Sequence, residues 1–415
     1  MPLTPEAQSA VRLSAARSRL RERAASGAVR GYPGEHAHIV DTYFTERLVE
    51  IRPLAEFLQD STFAMVAVGG YGRSELCPGS DLDVLIVFEK RIPAEAAEVC
   101  RHFFFPLWDM GYDLGQGVRT VADCLDLARD DVQVLCSLLD ARPICGSLPI
   151  FELLERRFRD KVLARRLPAL VDGLAEGNAR REAQAGDAAL LLEPDLKSGQ
   201  GGLRDAHQVF WLTRAMLAAG RGEGPFLPED LAALRHDRDF VLAARTALHL
   251  ASGRRTDRLF FDLQPRVAEL LGYAAADDSA LAKGRNVEFF LTRLHEAGGR
   301  IKAMRRAVFV HLETLRADAP PHPAGENLLD GPGGLRFASQ SAAGAGHALG
   351  IFTAMAHTGR PLAWSAWRFI HARSRAWGAD LAADPALPEA LLAAARAPHA
   401  VAALEAWMET GLLGA

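Results

Sequence analysis

The stretch that decides the fold of this 415-residue chain is VGGYGRSELCPGSDLD, residues 68–83. It joins two apolar runs, FAMVAV at 63–68 and LDVLIVF at 82–88, which have the length and composition of buried strands. The glycines that end the first run let the backbone approach a ligand closely. A helical turn beginning there would direct its free N–H groups and positive dipole end toward an anion. The stretch therefore predicts two strands joined by a phosphate-binding turn.

Two carboxylates at the start of the second run add a metal to this prediction. Asp81 and Asp83 are two positions apart on a strand, so both side chains project from the same face. Such neighbours repel unless a cation lies between them. Arg73 adds a forked donor suited to phosphate oxygens. A GGxG turn or a D-x-D pair alone is common, but both together, each attached to its own strand, predict a Mg²⁺-nucleotide site.

The composition limits the class of protein. The chain is 49% hydrophobic and 24% charged, which is ordinary for a globular protein, and no apolar run approaches the roughly 18 residues that span a bilayer. A formal net charge of −4 argues against general nucleic-acid binding. The five cysteines contain no CxxC pair and predict reduced thiols. We expect a cytoplasmic protein without membrane or nucleic-acid partners.

The organisation along the chain predicts an α+β protein. The two strands above and a third strand at 112–120 predict a small mixed sheet, and a helix at about 93–109 precedes the third strand. Helical patterns dominate the rest of the chain. The predicted divisions are an N-terminal helical segment (1–60, broken near 31–34), a sheet domain (61–148), a helical domain (149–316), and a linker with a C-terminal helical segment (317–415).

The pattern GG-x-G-R-x-E-L-x-P-x-S-D-x-D resembles the nucleotidyltransferase motif of the DNA polymerase beta superfamily. The longer wording GGYGRSELCPGSDLDVLIVF is similar to that of bacterial PII uridylyltransferases. The resemblance implies a polymerase-beta-type domain followed by a helical domain. It also implies that Gly69, Gly70 and Ser80 contact the triphosphate, and that Asp81 and Asp83 are the catalytic residues that hold Mg²⁺ or Mn²⁺.

A third carboxylate often completes such a site, and Asp113 on the third predicted strand is a candidate ligand. It is equally well explained as a charge at a strand edge. The uridylyltransferases usually read GHSVRT where this chain has GQGVRT at 115–120, so Gln116 replaces their histidine and Gly117 their serine. Arg119 is retained as a possible phosphate contact.

A second constellation, EPDLKSGQGGLRD at 193–205, interrupts the helical part. Its glycines permit a close approach to a ligand, and the helix that follows begins beside Arg204. The residues alone are equally consistent with a tight interdomain turn. The segment resembles one that follows the catalytic domain in PII uridylyltransferases and, more loosely, in glutamine synthetase adenylyltransferases. On that resemblance we expect Lys197 and Arg204 to contact the nucleotide.

Two other segments are interpreted as structural. LHLASGRRTDRL at 248–259 resembles a segment of the same family, but a helix end capped by Gly253, with arginines on the last carbonyls, explains it more simply. His236-Asp237 lies in a charged helical pattern and does not indicate an HD hydrolase.

The residues at 407–415 resemble the family's last stretch before its HD and ACT domains. We therefore expect uridylyl-removing activity to be absent.

The function that these residues predict is transfer of UMP from UTP to a tyrosine of a PII-type signalling protein. Alternatives are adenylyl transfer, a different acceptor, or a non-catalytic nucleotide-binding regulatory fragment. The motifs contact phosphates and metal rather than the base, so the sequence leaves the donor nucleotide open.

Overall fold

The first sheet is mixed and has four strands. The computed structural model describes residues 8–51, 62–185, 192–273, 279–315 and 320–413. The strands of this sheet are β1 Phe63–Ala67, β2 Leu82–Phe88, β3 Leu114–Thr120 and β4 Arg142–Gly146. Their order is β3-β2-β1-β4, with β2 and β3 parallel and the other neighbours antiparallel.

The sheet confirms the predicted α+β class and its first three strands. β2 has the predicted bounds, β1 ends one residue early, and β3 begins at Leu114 rather than at 112. β4 was not predicted, because the short sequence RPICG contains a proline and a glycine that weaken a strand pattern. It pairs with β1, where the register shifts between Met65 and Val66.

Helices precede, separate and follow the four strands along the chain. The predicted helical N-terminal segment forms two helices within the described residues, and the predicted helix near 93–109 begins at Ala96. The helices in this part are α1 Gln8–Ala25, α2 Tyr32–Ile51, the short turn α3 Gly69–Gly72, α4 Ala96–Asp109, α5 Val121–Asp130, α6 Val132–Leu139 and α7 Leu148–Phe158.

The core of the sheet region consists of β1, β2 and aromatic residues from the helices. All five residues of β1 are buried, as are six of the seven in β2, the exception being Asp83. Phe44 of α2 packs against Phe103 and Phe104 of α4 with ring centroids 6.0 and 6.2 Å apart. Burial on both faces explains why these strands have continuous rather than alternating hydrophobic sequences. The predicted site lies where β1 ends and β2 begins.

The middle of the chain is helical, as predicted. A π-helical turn at Arg159–Leu163 continues α7, and a 3-10 turn occupies Phe261–Leu263. The helices here are α8 Ala164–Ala185, α9 Leu203–Ala218, α10 Pro228–Ser252, α11 Gln264–Leu270 and α12 Ala280–Thr314.

The C-terminal part differs from the helical prediction because it contains a second sheet. The antiparallel strands β5 His322–Gly325, β6 Leu328–Gly331 and β7 Gly334–Phe337 lie in the Gly/Pro-rich segment that was interpreted as a linker. Four-residue strands separated by glycine turns leave too little periodicity for recognition. The helices that follow are α13 Ala345–Thr358, α14 Trp364–His371, α15 Ser374–Ala382, α16 Leu387–Arg396 and α17 Ala400–Glu409.

The contacts divide the chain into two compact units. The first comprises the described residues within 1–204, 214–221 and 238–294; the second comprises those within 205–213, 222–237 and 295–415. The first unit contains the four-stranded sheet, and the second contains the three-stranded sheet and its helices. The four-part division predicted from the sequence stays a prediction.

Two further expectations can be compared with the structure. Among the described residues, no helix is long and apolar enough to cross a membrane. All five cysteines are free thiols, as predicted.

Candidate active site

The glycine turn and the second aspartate of the motif lie against each other. The N–H of Val68 donates to the backbone carbonyl of Asp83 at 3.0 Å, which fixes the turn beside the start of β2. Gly69 has a φ of +58°, and a Cβ built on it would lie 3.0 Å from Oδ2 of Asp83. Only glycine combines this left-handed backbone with such a close approach. The structure thus brings Gly69 and Asp83 together.

The carboxylate pair has the electrostatics of an oxygen-ligand cation site. Burial and, after it, the negative charge of Asp81 raise the pKa of Asp83, while the positive charges of Lys197, Arg255 and Arg73 lower it. Two carboxylates close enough to disfavour each other's charge gain stability from a cation between them. Carboxylate oxygens are ligands that Mg²⁺ accepts, so Asp81 and Asp83 fit the metal that the motif implies.

Ser80 is held in the loop just before these carboxylates. Its Oγ accepts the N–H of Cys77 at 3.0 Å, and its own N–H donates to the carbonyl of Cys77 at 3.0 Å. These bonds fix the hydroxyl oxygen and leave the hydroxyl proton to donate to another acceptor. This position suits the phosphate contact expected of Ser80.

Arg73 has partners that the sequence did not indicate. Its Nε donates to Glu75 at 2.8 Å and its Nη1 pairs with Asp140. Burial by itself lowers the pKa of Arg73, but these two carboxylates raise it. A Cβ on Gly70 would lie 3.9 Å from Nη2, so the guanidinium supports the turn. Arg73 thus connects the glycine turn to Glu75 and Asp140, in addition to any phosphate contact that its Nη2 makes.

Lys197 is brought to the carboxylate pair from the second constellation. Asp195 accepts the N–H groups of Lys197 and Ser198 at 2.9 and 2.6 Å, which closes the loop on itself. Burial and the charge of Arg245 lower the pKa of Lys197, whereas Asp257 and Asp81 raise it. Lys197 therefore lies within electrostatic range of both carboxylates, and its contact with the nucleotide stays a prediction.

Arg204 lies in the first turn of α9, between the loop of Lys197 and α6. Its N–H donates to the carbonyl of Lys197 at 2.9 Å, and its exposed side chain acts electrostatically on Cys136 of α6. The structure thus links the backbone of Arg204 to the loop that carries Lys197. Its contact with the nucleotide stays a prediction.

Asp113 is not gathered into a three-carboxylate group. Its side chain is exposed, and its carbonyl accepts the N–H of Leu82 at 2.8 Å at the start of the β2–β3 pairing. The residue opposite Asp83 in β3 is Gly115, which has no side chain to offer. Across the described part of the chain, no three His, Cys, Asp or Glu side chains form a metal-sized cluster.

The segment after α10 contributes residues that the sequence interpretation missed. Gly253 does cap the helix with a φ of +68°, as expected. However, Nη2 of Arg255 lies 3.5 Å from Oδ2 of Asp81, and Nδ1 of His249 accepts the N–H of Gly79 at 3.2 Å. The segment therefore ends α10, as expected, and also contacts the loop that precedes β2. Its resemblance to a family segment was the signal that could have identified these residues.

Comparison with known proteins agrees with this geometry. Residues 50–114 match the model of the nucleotidyltransferase domain, and residues 171–309 match that of the GlnD PII-uridylyltransferase. The chain is 34% identical over 254 residues to the bifunctional uridylyltransferase/uridylyl-removing enzymes of two Caulobacter vibrioides strains, NA1000/CB15N and ATCC 19089/CIP 103742/CB 15. The match covers 60% of this chain and 26% of each enzyme.

The match at residues 50–114 defines the class of the domain that carries the candidate site. The chain contains a nucleotidyltransferase domain, and the aspartate pair with its glycine turn lies in that domain. More particularly, residues 171–309 are similar to the PII-uridylyltransferase model, as the motifs indicated, and the chain aligns with about a quarter of the length of the curated relatives.

Proposed function

We propose that this chain transfers UMP from UTP to a tyrosine of a PII-type signalling protein, with Mg²⁺ or Mn²⁺ and with release of pyrophosphate. The observation that carries the proposal is the convergence of Asp81 and Asp83 with the turn at Gly69 and with the distant Lys197. The family resemblance supports the choice of UTP and of the acceptor.

Asp81 and Asp83 would hold the metal through their carboxylate oxygens. When bound, the metal supplies positive charge that polarises the phosphate and lowers the pKa of an acceptor hydroxyl. A tyrosine hydroxyl has an ordinary pKa near 10, so it needs such assistance at neutral pH. The partial burial of Asp83 limits competition from water for the same oxygens.

The other residues position the donor nucleotide. The turn at Gly69 and Gly70 allows phosphates to approach the backbone, because no Cβ stands in the way. Ser80 can donate its hydroxyl proton to a phosphate oxygen, and Lys197 places near the carboxylates a positive charge that would stabilise the negative charge of the pyrophosphate leaving group. Catalysis of this kind depends mainly on positioning and charge, since pyrophosphate is already a good leaving group.

The test is to incubate the chain with Mg²⁺, each of the four nucleoside triphosphates in turn, and a PII-type protein, and then to weigh the acceptor by intact mass spectrometry. We expect a gain of one uridylyl mass with UTP, which Asp83→Asn abolishes. Asp109→Asn is the matched control, because Asp109 is exposed at the end of α4.

Each outcome separates the alternatives. A gain with ATP alone would make the chain an adenylyltransferase. Binding of metal and nucleotide without any gain would indicate a different acceptor or a non-catalytic regulatory role. Loss of activity in both variants would mean that Asp83 has no special part.

A further inference from the structure

Arg255 brings a positive charge to the loop formed by residues 79–81, before β2, from a distant part of the chain. Its Nη2 lies 3.5 Å from Oδ2 of Asp81 although 174 residues separate the two in sequence. Its charge also lowers the pKa values of Asp83 and Lys197, so it lies among the residues assigned to metal and phosphate. Nothing in the motif itself assigns this arginine a role.

The backbone of Arg255 is fixed directly against the loop. A Cβ built on Gly79 would lie 3.1 Å from Cβ and 3.2 Å from Cα of Arg255. Gly79 immediately precedes Ser80 and Asp81, so the loop and the arginine pack without an intervening side chain. The guanidinium therefore reaches Asp81 from an anchored backbone.

A buried polar frame holds this arrangement in place. Nδ1 of His249 accepts the N–H of Gly79 at 3.2 Å, and its Nε2 lies 3.6 Å from Oδ1 of Asp257. The same carboxylate oxygen accepts Nε–H of Arg245 at 2.6 Å. His249 and Arg245 are both buried. This frame of Arg245, His249 and Asp257 includes residues before and after Arg255 in the chain, and His249 connects it to Gly79 of the loop.

The ion pair itself, in contrast, is exposed to solvent. The side chains of Arg255 and Asp81 are 41% and 44% exposed. Exposed pairs contribute little to stability because water and salt screen them. An incoming cation can thus displace the guanidinium from Asp81 without unfolding the frame beneath it.

We propose that Arg255 is an internal counter-ion that neutralises Asp81 until the metal binds, and that it then binds a phosphate of the metal–nucleotide complex. The proposal rests on the proposed function for the identity of the metal and nucleotide. Its physical basis is exchange: a divalent cation takes the place of the guanidinium at Asp81, and the triphosphate brings new negative charge to the released arginine. A forked guanidinium suits phosphate oxygens.

Arg255→Gln tests this, because two binding measurements should change in opposite directions. Binding of Mn²⁺ alone, followed by electron paramagnetic resonance, should become about twofold to fivefold tighter, because the competing cation is gone. Binding of inorganic triphosphate with Mg²⁺, followed by calorimetry, should become about tenfold weaker, because one charge-assisted contact is lost. Arg254→Gln is the matched control, since Arg254 is the exposed neighbour and should change neither.

Arg255→Lys separates charge from the forked geometry. The lysine should return the Mn²⁺ affinity toward the wild-type value but recover the triphosphate affinity only in part, because it makes a single point contact. If Arg255→Gln weakens both kinds of binding and lowers the melting temperature, the residue is structural and the proposal fails. Unchanged affinities would also overturn it.

The outcome is distinguishable from failure of the proposed function. If the wild-type chain binds Mn²⁺ and triphosphate but transfers nothing to a PII-type protein, only the transfer proposal fails, and the opposed shifts still decide the role of Arg255. If it binds neither ligand, both proposals are overturned.

Discussion

Asp83 and Gly115 are register partners on the parallel strands β2 and β3, and a Cβ built on Gly115 would lie 2.2 Å from Oδ1 of Asp83. The absence of a side chain at position 115 therefore leaves the room that this carboxylate occupies. The orientation of Asp83 depends on a neighbouring strand as much as on its own.

Gly115→Ala should force the Asp83 carboxylate out of its position. Displacement of a catalytic group by about 1 Å can reduce a rate about 100-fold, and we expect a loss of transfer of that order. The measurement is the rate of acceptor modification, together with Mn²⁺ affinity. Gln116→Ala, at the exposed adjacent position, should leave both close to wild type. Equal losses in the two variants would contradict the steric explanation.

Gly69→Ala combines backbone strain with crowding of Asp83. The φ of +58° costs a non-glycine residue about 1–2 kcal/mol, and the new Cβ would lie 3.0 Å from Oδ2 of Asp83. Gly111→Ala is a fitting control, because Gly111 has a φ of +75° and no heavy atom within 4 Å of the built Cβ. Denaturant unfolding should show a similar destabilisation in both, whereas only Gly69→Ala should lose nucleotide binding.

Lys197→Met removes the positive charge that the second constellation brings to the carboxylates. We expect nucleotide affinity in the presence of Mg²⁺ to fall about tenfold, the value of one charge-assisted hydrogen bond. The unchanged fold can be verified by circular dichroism. Lys90→Met is the control, since the Lys90 side chain is 86% exposed in a surface pair. A similar loss in the control would indicate a general charge effect instead.

Arg73→Lys should reveal how strongly the buried ion pairs support the turn. Lysine keeps the charge but not the fork that serves Glu75 and Asp140, and disruption of a buried ion pair costs about 3 kcal/mol. Arg129→Lys, in an exposed pair with Asp126, should cost about 0.5 kcal/mol or less. Urea unfolding of the two variants measures the difference. If their stabilities agree, the Arg73 network is not a structural support.

The buried side chain of His36 leads us to expect a loss of folding stability in mild acid. Its Nδ1 lies 3.2 Å from the carbonyl of Leu76 and its Nε2 lies 3.1 Å from the hydroxyl of Tyr112. Burial, reinforced by the charges of Arg17 and Arg21, lowers the pKa of His36 to about 4.

The direction of this pH dependence follows from the linkage between proton binding and folding. The folded state binds this proton less readily than the unfolded state, so the stability contribution is complete above about pH 6.5 and is lost as the pH falls toward the folded pKa. Within that window the loss approaches about 1.4 kcal/mol per pH unit. Between pH 7 and pH 5, His36→Gln should therefore lose about 2 kcal/mol less than the wild type in urea unfolding. Parallel losses would show that His36 does not titrate there.

The central motif could be predicted because its information is local. The apolar runs of β1 and β2 and the glycines between them determine two buried strands and the turn at Gly69. Period-two alternation then places Asp81 and Asp83 on one face without knowledge of any other part of the chain. The association of Lys197 with this motif was expected only from the family resemblance, because no local pattern connects loops that far apart.

Other elements were missed where local patterns were weak or had two explanations. β4 and the three strands between His322 and Phe337 are short and contain glycine or proline, so their stability comes from pairing partners rather than from their own periodicity. The GRR segment after α10 fits a helix end equally well in sequence terms. Only the tertiary structure shows that the segment also packs against Gly79.

The sequence by itself thus determined the strand–turn–strand unit and its paired carboxylates, since hydrophobic periodicity and turn residues act over a few positions. The tertiary structure alone decided three further features: Arg255 lies at Asp81, Arg73 is held by two carboxylates, and the residue opposite Asp83 is a glycine. These depend on strand register and on contacts between segments up to 174 residues apart. Burial and packing of the whole first unit set those contacts, and no local preference of the chain encodes them.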